Sequence, residues 1–205
     1  MTTLRIAVVG TGKIGGTLGR KWVAAGHEVA FGVRDPEDER ARALRAELGE
    51  RARVAAIADA LAGADVVLLA IPGKVAAETA AGIGAALDGR IVIDATNNMA
   101  APVVNCVAAI QAAAPGAHVF RAFNIYGWEN FADPTYDGAQ ADLFYAGPDG
   151  AAGAAVEGLI ADIGLRPVRL GGTDQAGLTD DVLNLWFTLV RGGRGRHLAF
   201  KVLGG

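Results

Sequence analysis

The chain has 205 residues, 52% of them hydrophobic and 20% charged, a balance that excludes a disordered chain and suits one well-packed domain. A formal net charge of −3 excludes a broad basic face for nucleic acid or a membrane surface. Its 29 glycines follow no fixed period, which excludes collagen-like and low-complexity chains, and the single cysteine, Cys106, excludes an internal disulfide.

One cysteine fits a reducing compartment, and no charged segment precedes the first apolar run after Met1-Thr2-Thr3. The expectation is a cytoplasmic protein without a signal peptide. The longest apolar stretch, residues 64–87, is interrupted by Pro72, Gly73, Lys74 and Glu78 and reads as strand, turn and helix, not as a membrane span. Cys106 itself reads as a small buried side chain.

In chain order, strands are predicted at 5–10, 28–33, 53–57, 66–71, 90–95, 118–123, 142–147 and 166–170. These runs are continuous and rich in Val, Ile and Leu, as strands covered on both faces are. Helices are predicted at 13–25, 36–48, 73–87, 100–113, 150–163 and 174–190. Strand–helix alternation predicts an α/β protein with a doubly wound, mostly parallel Rossmann-type sheet and a short C-terminal helical extension. The expected division is a dinucleotide-binding lobe over 1–124 and a small C-terminal lobe over 125–205, packed on the same domain.

Gly10-Thr11-Gly12-Lys13-Ile14-Gly15 matches G-x-G-x-x-G, and it follows a strand and opens a helix as that pattern requires. Gly10 permits the tight turn, Gly12 lets the backbone approach a pyrophosphate, and Gly15 lets helix and strand pack closely. The helix start adds unpaired N–H groups and a positive dipole end. Lys13 is not a Walker lysine, because Ile14 follows it where that motif needs Ser or Thr.

The second strand separates NAD from NADP. An NAD site ends this strand with a carboxylate for the ribose 2′-hydroxyl. Here the slot holds Val33 followed by Arg34, which favours a 2′-phosphate, since a guanidinium binds phosphate bidentately. Asp35, twenty residues after Gly15, stands as the rival NAD acid.

GTGKIGG, FGVRDP, LLAIP, IDATN, AFN and GRHLAFKVL, in this order, resemble the coenzyme F420 (deazaflavin)-dependent NADP oxidoreductase family over nearly the whole chain. The resemblance implies hydride exchange between NADP(H) and a deazaflavin lying flat against the nicotinamide. It implies that Thr11 to Ile14 lie under the pyrophosphate and that Val33 and Arg34 meet the 2′-phosphate. Ile71 and Pro72 would lie beside the nicotinamide ribose, and Ile125 and Gly127 near the nicotinamide and the second ring system. Two departures are visible: the family often has Ser where Val33 stands, and a basic residue near Asp38.

No catalytic acid is assigned. Tyr126, Tyr136 and Tyr145 all lack a Lys four residues on, and no His, Cys, Asp and Glu cluster has metal-ligand spacing. Asn124 or Tyr126 remains as a single proton donor. His27 reads as structural, His118 as lying away from the crevice, and His197 as C-terminal. Hydride transfer between two ring cofactors needs alignment more than acid–base chemistry. Asn97, Asn98 and Asn124 fall at strand ends, either to bond a carboxamide or ring edge or to form turns. Phe123, Tyr126, Trp128 and Phe131 form either a platform for a flat ring or core. Arg191, Arg194 and Arg196 sit in a glycine-rich turn, as solvated charges or as holders of an anionic tail. Alternative acceptors are a flavin, an imine or a quinone, and a non-catalytic NADPH-binding sensor is a further alternative. The apolar 182–190 stretch suggests a homodimer.

Overall fold

The computed structural model describes residues 2–204; Met1 and Gly205, the outer ends of the two expected lobes, lie outside the described residues. Six strands form one parallel sheet: β1 (Arg5–Val9), β2 (Glu28–Val33), β3 (Ala52–Ala56), β4 (Val66–Leu69), β5 (Ile91–Asp94) and β6 (His118–Arg121). Their order is β3-β2-β1-β4-β5-β6, so the chain reverses direction of travel between β1 and β4. Ligands of doubly wound sheets bind at the carboxyl ends of the strands beside that reversal.

The strands are apolar because both faces are covered. Along β1, Ile6 and Val8 enter one core cluster while Ala7 and Val9 enter the other, the period of two of a pleated strand. The connecting helices are α1 (Lys13–Ala24), α2 (Glu39–Leu48), α3 (Ile57–Leu61), α4 (Gly73–Leu87) and α5 (Val107–Ala113). Gly19 on α1 has no Cβ because the Phe31 ring of β2 occupies that place, which brings helix and sheet together.

After β6 come α6 (Trp128–Ala132), the short hairpin β7 (Thr135–Tyr136) and β8 (Ala139–Gln140), then β9 (Asp142–Tyr145), α7 (Ala151–Asp162), β10 (Arg166–Arg169) and α8 (Ala176–Leu189). One core cluster runs from Ile6 and Trp22 through Phe123 and Tyr145 to Trp186, so residues on both sides of position 125 share it. His27 ties the halves together. Its Nδ1 accepts from the Leu4 N–H at 3.1 Å and its Nε2 lies 2.8 Å from Asp162 on α7, which fixes the proton on Nε2.

Several elements differ from the sequence-based expectation. The seventh and eighth expected strands do not extend the main sheet; β9 and β10 pair with each other in parallel. Only an antiparallel bridge between Arg121 and Ala146 joins them to β6. Pro167 lacks the N–H that a central strand needs. The helix expected from residue 100 begins at Val107, because Asp94 and Asn105 capture the backbone N–H groups of Cys106 and Val107 and hold 95–106 as a loop. The helix expected from 36 begins at Glu39, because Asp38 caps it by accepting from the Ala41 N–H at 2.7 Å. The expected start at 174 is a 3₁₀ turn, with α8 following from Ala176. The short helices α3 and α6 and the β7–β8 hairpin were not anticipated; at two to five residues each they are too short to show a period. No helix among the described residues is long and apolar enough to cross a membrane.

Candidate functional site

The site is assembled at the carboxyl ends of β1, β2, β4, β5 and β6. Parallel register brings Val9 opposite Gly32 and Leu69, and Leu69 opposite Asp94, which in turn faces Arg121. The glycine loop leaves β1 here. Gly10 has φ +103°, and a Cβ on it would lie 2.5 Å from the Ala70 carbonyl oxygen and 2.9 Å from Ile71 Cγ2. A Cβ on Gly15 would strike the Gly10 carbonyl oxygen. Gly12 differs: a Cβ there would meet no atom within 4 Å. Two glycines are therefore required by the fold, and the third keeps an open face at the start of α1. Thr11 and Ile14 are half-buried, Gly12 and Lys13 exposed.

At the end of β2, Val33 is buried and Arg34 is exposed, with no hydrogen bond or ion pair among the described residues. The rival acid Asp35 is taken up by the turn, where its Oδ1 accepts from the Glu37 N–H at 2.9 Å. Asp38, the departure from the basic residue, serves as the α2 cap. Arg40, in the first turn of α2, lines a cavity of about 220 Å³ that Thr11 of the glycine loop also lines. It too has no bonded partner among the described residues, and the sequence reading did not single it out, because its place depends on where α2 begins.

Ile71 is half-buried against Gly10, and Pro72 caps α4. Gly73 lies so close to the Asn97–Asn98 peptide that a Cβ would overlap it. The Asn97 amide is bonded within the chain: its Nδ2 donates to the Asn124 carbonyl at 2.9 Å and its Oδ1 accepts from Arg121 at 2.7 Å. The Asn98 backbone N–H donates to Val104. Asn124 is buried, its Nδ2 makes contacts of 3.4 Å to Thr179 and Asp180, and its Oδ1 is a buried side-chain oxygen without a partner among the described residues. Phe123, just before it, has φ +59°, a costly conformation for a bulky residue. Ile125 and Gly127 are both buried.

Beneath these amides lies a buried ionic cluster that the sequence reading missed. Arg121, fully buried, donates through Nε and Nη2 to Asp180 of α8 at 3.0 and 2.7 Å, and its Nη1 lies 3.2 Å from an Asp94 carboxylate oxygen. Asp94 also accepts from the Thr96 N–H at 2.9 Å and the Cys106 N–H at 2.6 Å, while Asp180 accepts from Asn105 at 2.7 Å. The available signal was one arginine inside the apolar run HVFRAF. Burial, with the Asp94 charge nearby, pushes the Cys106 thiol up to about 11, so it is protonated at neutral pH.

The aromatic group divides. Phe123, Tyr126 and Phe131 are core residues in edge-on and tilted contacts, whereas Trp128 is half-exposed. Tyr126 is not a free proton donor. Its hydroxyl donates to the Asp142 carbonyl at 2.7 Å and accepts from the Phe200 N–H at 2.9 Å, and burial pushes its pKa up. In the glycine-rich turn, Arg196 pairs with Glu129 at 2.7 Å and lies over Trp186, and Arg191 lies over Phe187. His118 is exposed at the amino end of β6, and His197 stacks on Tyr136. No group of three or more possible metal ligands occurs among the described residues. A larger cavity, about 520 Å³, lies at the amino ends of β1 to β3 by Arg5, Glu28 and Ala52. That is the edge opposite the crevice.

The cradle fits a dinucleotide phosphate on the chain's own geometry, with Gly12 open and Arg34 unpaired. The family model for coenzyme F420-dependent NADP oxidoreductases matches residues 5–98. A candidate F420-dependent NADP reductase of Arthrobacter sp. FB24 is 30% identical and superposes with a TM-score of 0.83 over 98% of this chain and 100% of its own. A protein of Sinorhizobium meliloti is also 30% identical, with a TM-score of 0.69 over 84% of this chain and 86% of its own. A reductive aminase of Aspergillus terreus, solved with NADPH and ethyl levulinate, is 20% identical with a TM-score of 0.65 over 93% of this chain and 63% of its own, a likeness of fold. With a whole-length relative at this identity and the family model spanning β1 to β5, the chain belongs to the coenzyme F420-dependent NADP oxidoreductases and is an NADP-dependent oxidoreductase.

Proposed function

We propose that the protein exchanges hydride between NADP(H) and the deazaflavin coenzyme F420. The observation that carries this is the state of the crevice floor. Asp94, Arg121 and Asp180 are bonded to one another and to backbone groups, so they serve to hold the strand ends and amides above them in place. Such a floor suits a reaction in which both partners bring their own chemistry. When bound, NADPH supplies the hydride.

In this assignment Gly10 to Gly15 hold the pyrophosphate and Ile71, Pro72, Ile125 and Gly127 shape the nicotinamide end. Asn124 offers its unpartnered oxygen to the carboxamide N–H, and Asn97 keeps the Asn124 backbone in place. Residues 1–124 form the NADP-binding lobe and 125–205 a small lobe packed on the same domain, in a cytoplasmic homodimer.

Arg34 and Arg40 read the 2′-phosphate together. Charge-assisted hydrogen bonds of this kind are worth roughly 1.5–3 kcal/mol each. Arg34→Ala and Arg40→Ala are therefore expected to weaken NADPH binding by about tenfold or more each and to leave NADH binding unchanged. Fluorescence titration with both nucleotides checks this, and an equal loss for NADH would remove both residues from that role.

The reaction itself is tested by mixing the protein with NADPH and oxidised coenzyme F420 and following loss of the deazaflavin absorbance, with NADH, FMN and FAD in parallel. NADPH-specific bleaching is the expected result. Tight NADPH binding without bleaching transfers the assignment to another acceptor or to a sensor.

A further inference from the structure

Three tryptophans occur in the chain, and two are spent on the core. Trp22 and Trp186 are at most 1% exposed, and their indole N–H groups donate to Leu159 and Leu198 at 3.0 and 2.8 Å. Trp128 is half-exposed and its N–H has no partner among the described residues. It opens α6, directly after Gly127, at the mouth of the crevice. Among the described residues its ring meets the Lys13 ammonium of the glycine loop, whose Nζ lies 5.2 Å from the ring centroid.

The turn that presents Trp128 is rigid. A Cβ on Gly127 would lie 2.7 Å from the Arg196 guanidinium, and Arg196 is in turn clamped between Glu129 and the Trp186 ring. The backbone beneath the indole is thus held from the C-terminal segment, while the indole itself faces an exposed lysine. That lysine sits where the family's pyrophosphate binds, at the first position of α1. A phosphate attracts an ammonium more strongly than an aromatic face does, because full charges interact there.

We infer that Trp128 is the stacking surface for the electron acceptor's ring and that Lys13 is its shutter. The ammonium covers the indole in the free protein and moves onto the dinucleotide phosphates when NADP(H) binds, so the cofactor binds before the acceptor. The platform rests on the deazaflavin assignment above; the shutter requires only that the glycine loop hold a dinucleotide. One indole face holds one partner at a time, which converts a local contact into an order of binding.

The test has two readouts. In the first, acrylamide quenching of tryptophan fluorescence is measured with and without NADP⁺ in the wild type, Trp128→Phe and Lys13→Met. NADP⁺ is expected to change quenching in the wild type and not in Trp128→Phe, while Lys13→Met shows the uncovered level from the start. Wild-type quenching that saturating NADP⁺ leaves unchanged overturns the shutter. In the second, Trp128→Ala is expected to raise the KM for coenzyme F420 by about tenfold or more. Trp128→Phe recovers most of that loss, and NADPH binding is weakened in neither variant, since removing the indole only frees Lys13 for the phosphates. Turnover with an unchanged KM in Trp128→Ala overturns the platform alone. A wild-type protein that bleaches no deazaflavin overturns the acceptor assignment and the platform with it.

Discussion

Gly12→Val is expected to leave the protein folded and to abolish useful NADP(H) binding, whereas Gly15→Val is expected to prevent folding. The two positions share one motif but answer to different demands. Gly12 has φ −66°, which any residue adopts, and a Cβ there meets no protein atom within 4 Å. Its vacancy therefore has no packing purpose and keeps the backbone N–H groups reachable by phosphate. Losing two such charge-assisted bonds, at roughly 1.5–3 kcal/mol each, weakens binding at least about 100-fold. A Cβ on Gly15 falls on the Gly10 carbonyl oxygen, and Gly10 itself leaves no room for a Cβ beside Ala70 and Ile71. No side chain can yield there, because the clash is with backbone. Thermal unfolding and NADPH titration on the same two variants separate the cases. Wild-type affinity in Gly12→Val would mean that the dinucleotide does not lie on this loop.

The second large effect is one of stability. Arg121→Met is expected to destabilise the fold by about 3–5 kcal/mol, the usual cost of removing one partner from a buried ion pair. Two buried carboxylates, Asp94 and Asp180, would then face each other without their shared cation. In a chain of this size each kcal/mol moves Tm by about 2–4 °C, so the midpoint falls by about 10 °C. The loss is concentrated where α8 meets β5 and β6, because Asp180 is the α8 contribution to the cluster. Adding Asp180→Asn to Arg121→Met removes one uncompensated charge and is expected to recover part of the loss. Urea denaturation of the two single variants and the double completes the cycle. Strict additivity would show that Arg121 and Asp180 do not act as a pair.

These two experiments probe opposite kinds of information. The glycine loop was legible because its signal is local: three glycines, one strand end and one helix start occupy consecutive positions, and backbone sterics give each glycine its reason. Strand identity was legible for a similar reason, since strands covered on both faces must be continuously apolar. The doubly wound sheet was legible from strand–helix alternation.

Tertiary structure decided the rest, because the deciding partners are far apart in sequence. Arg121 meets Asp180, 59 positions away, as well as Asp94, and these meetings make an arginine tolerable inside an apolar strand. Asp35 read as the rival NAD acid and Asp38 as a missing basic residue until the turn and α2 claimed both carboxylates. Tyr126 offered a hydroxyl on paper, but Asp142 and Phe200 occupy it. Four aromatic residues in one short segment shared a single composition, and packing sent three inward and left Trp128 beneath Lys13. Local sterics and apolar periodicity are written residue by residue along a chain, so the sequence alone determined the loop, the strands and the fold class. Charge pairing and the competition for buried space are settled between distant segments, so only the folded molecule decided which polar and aromatic groups remain free to meet a ligand.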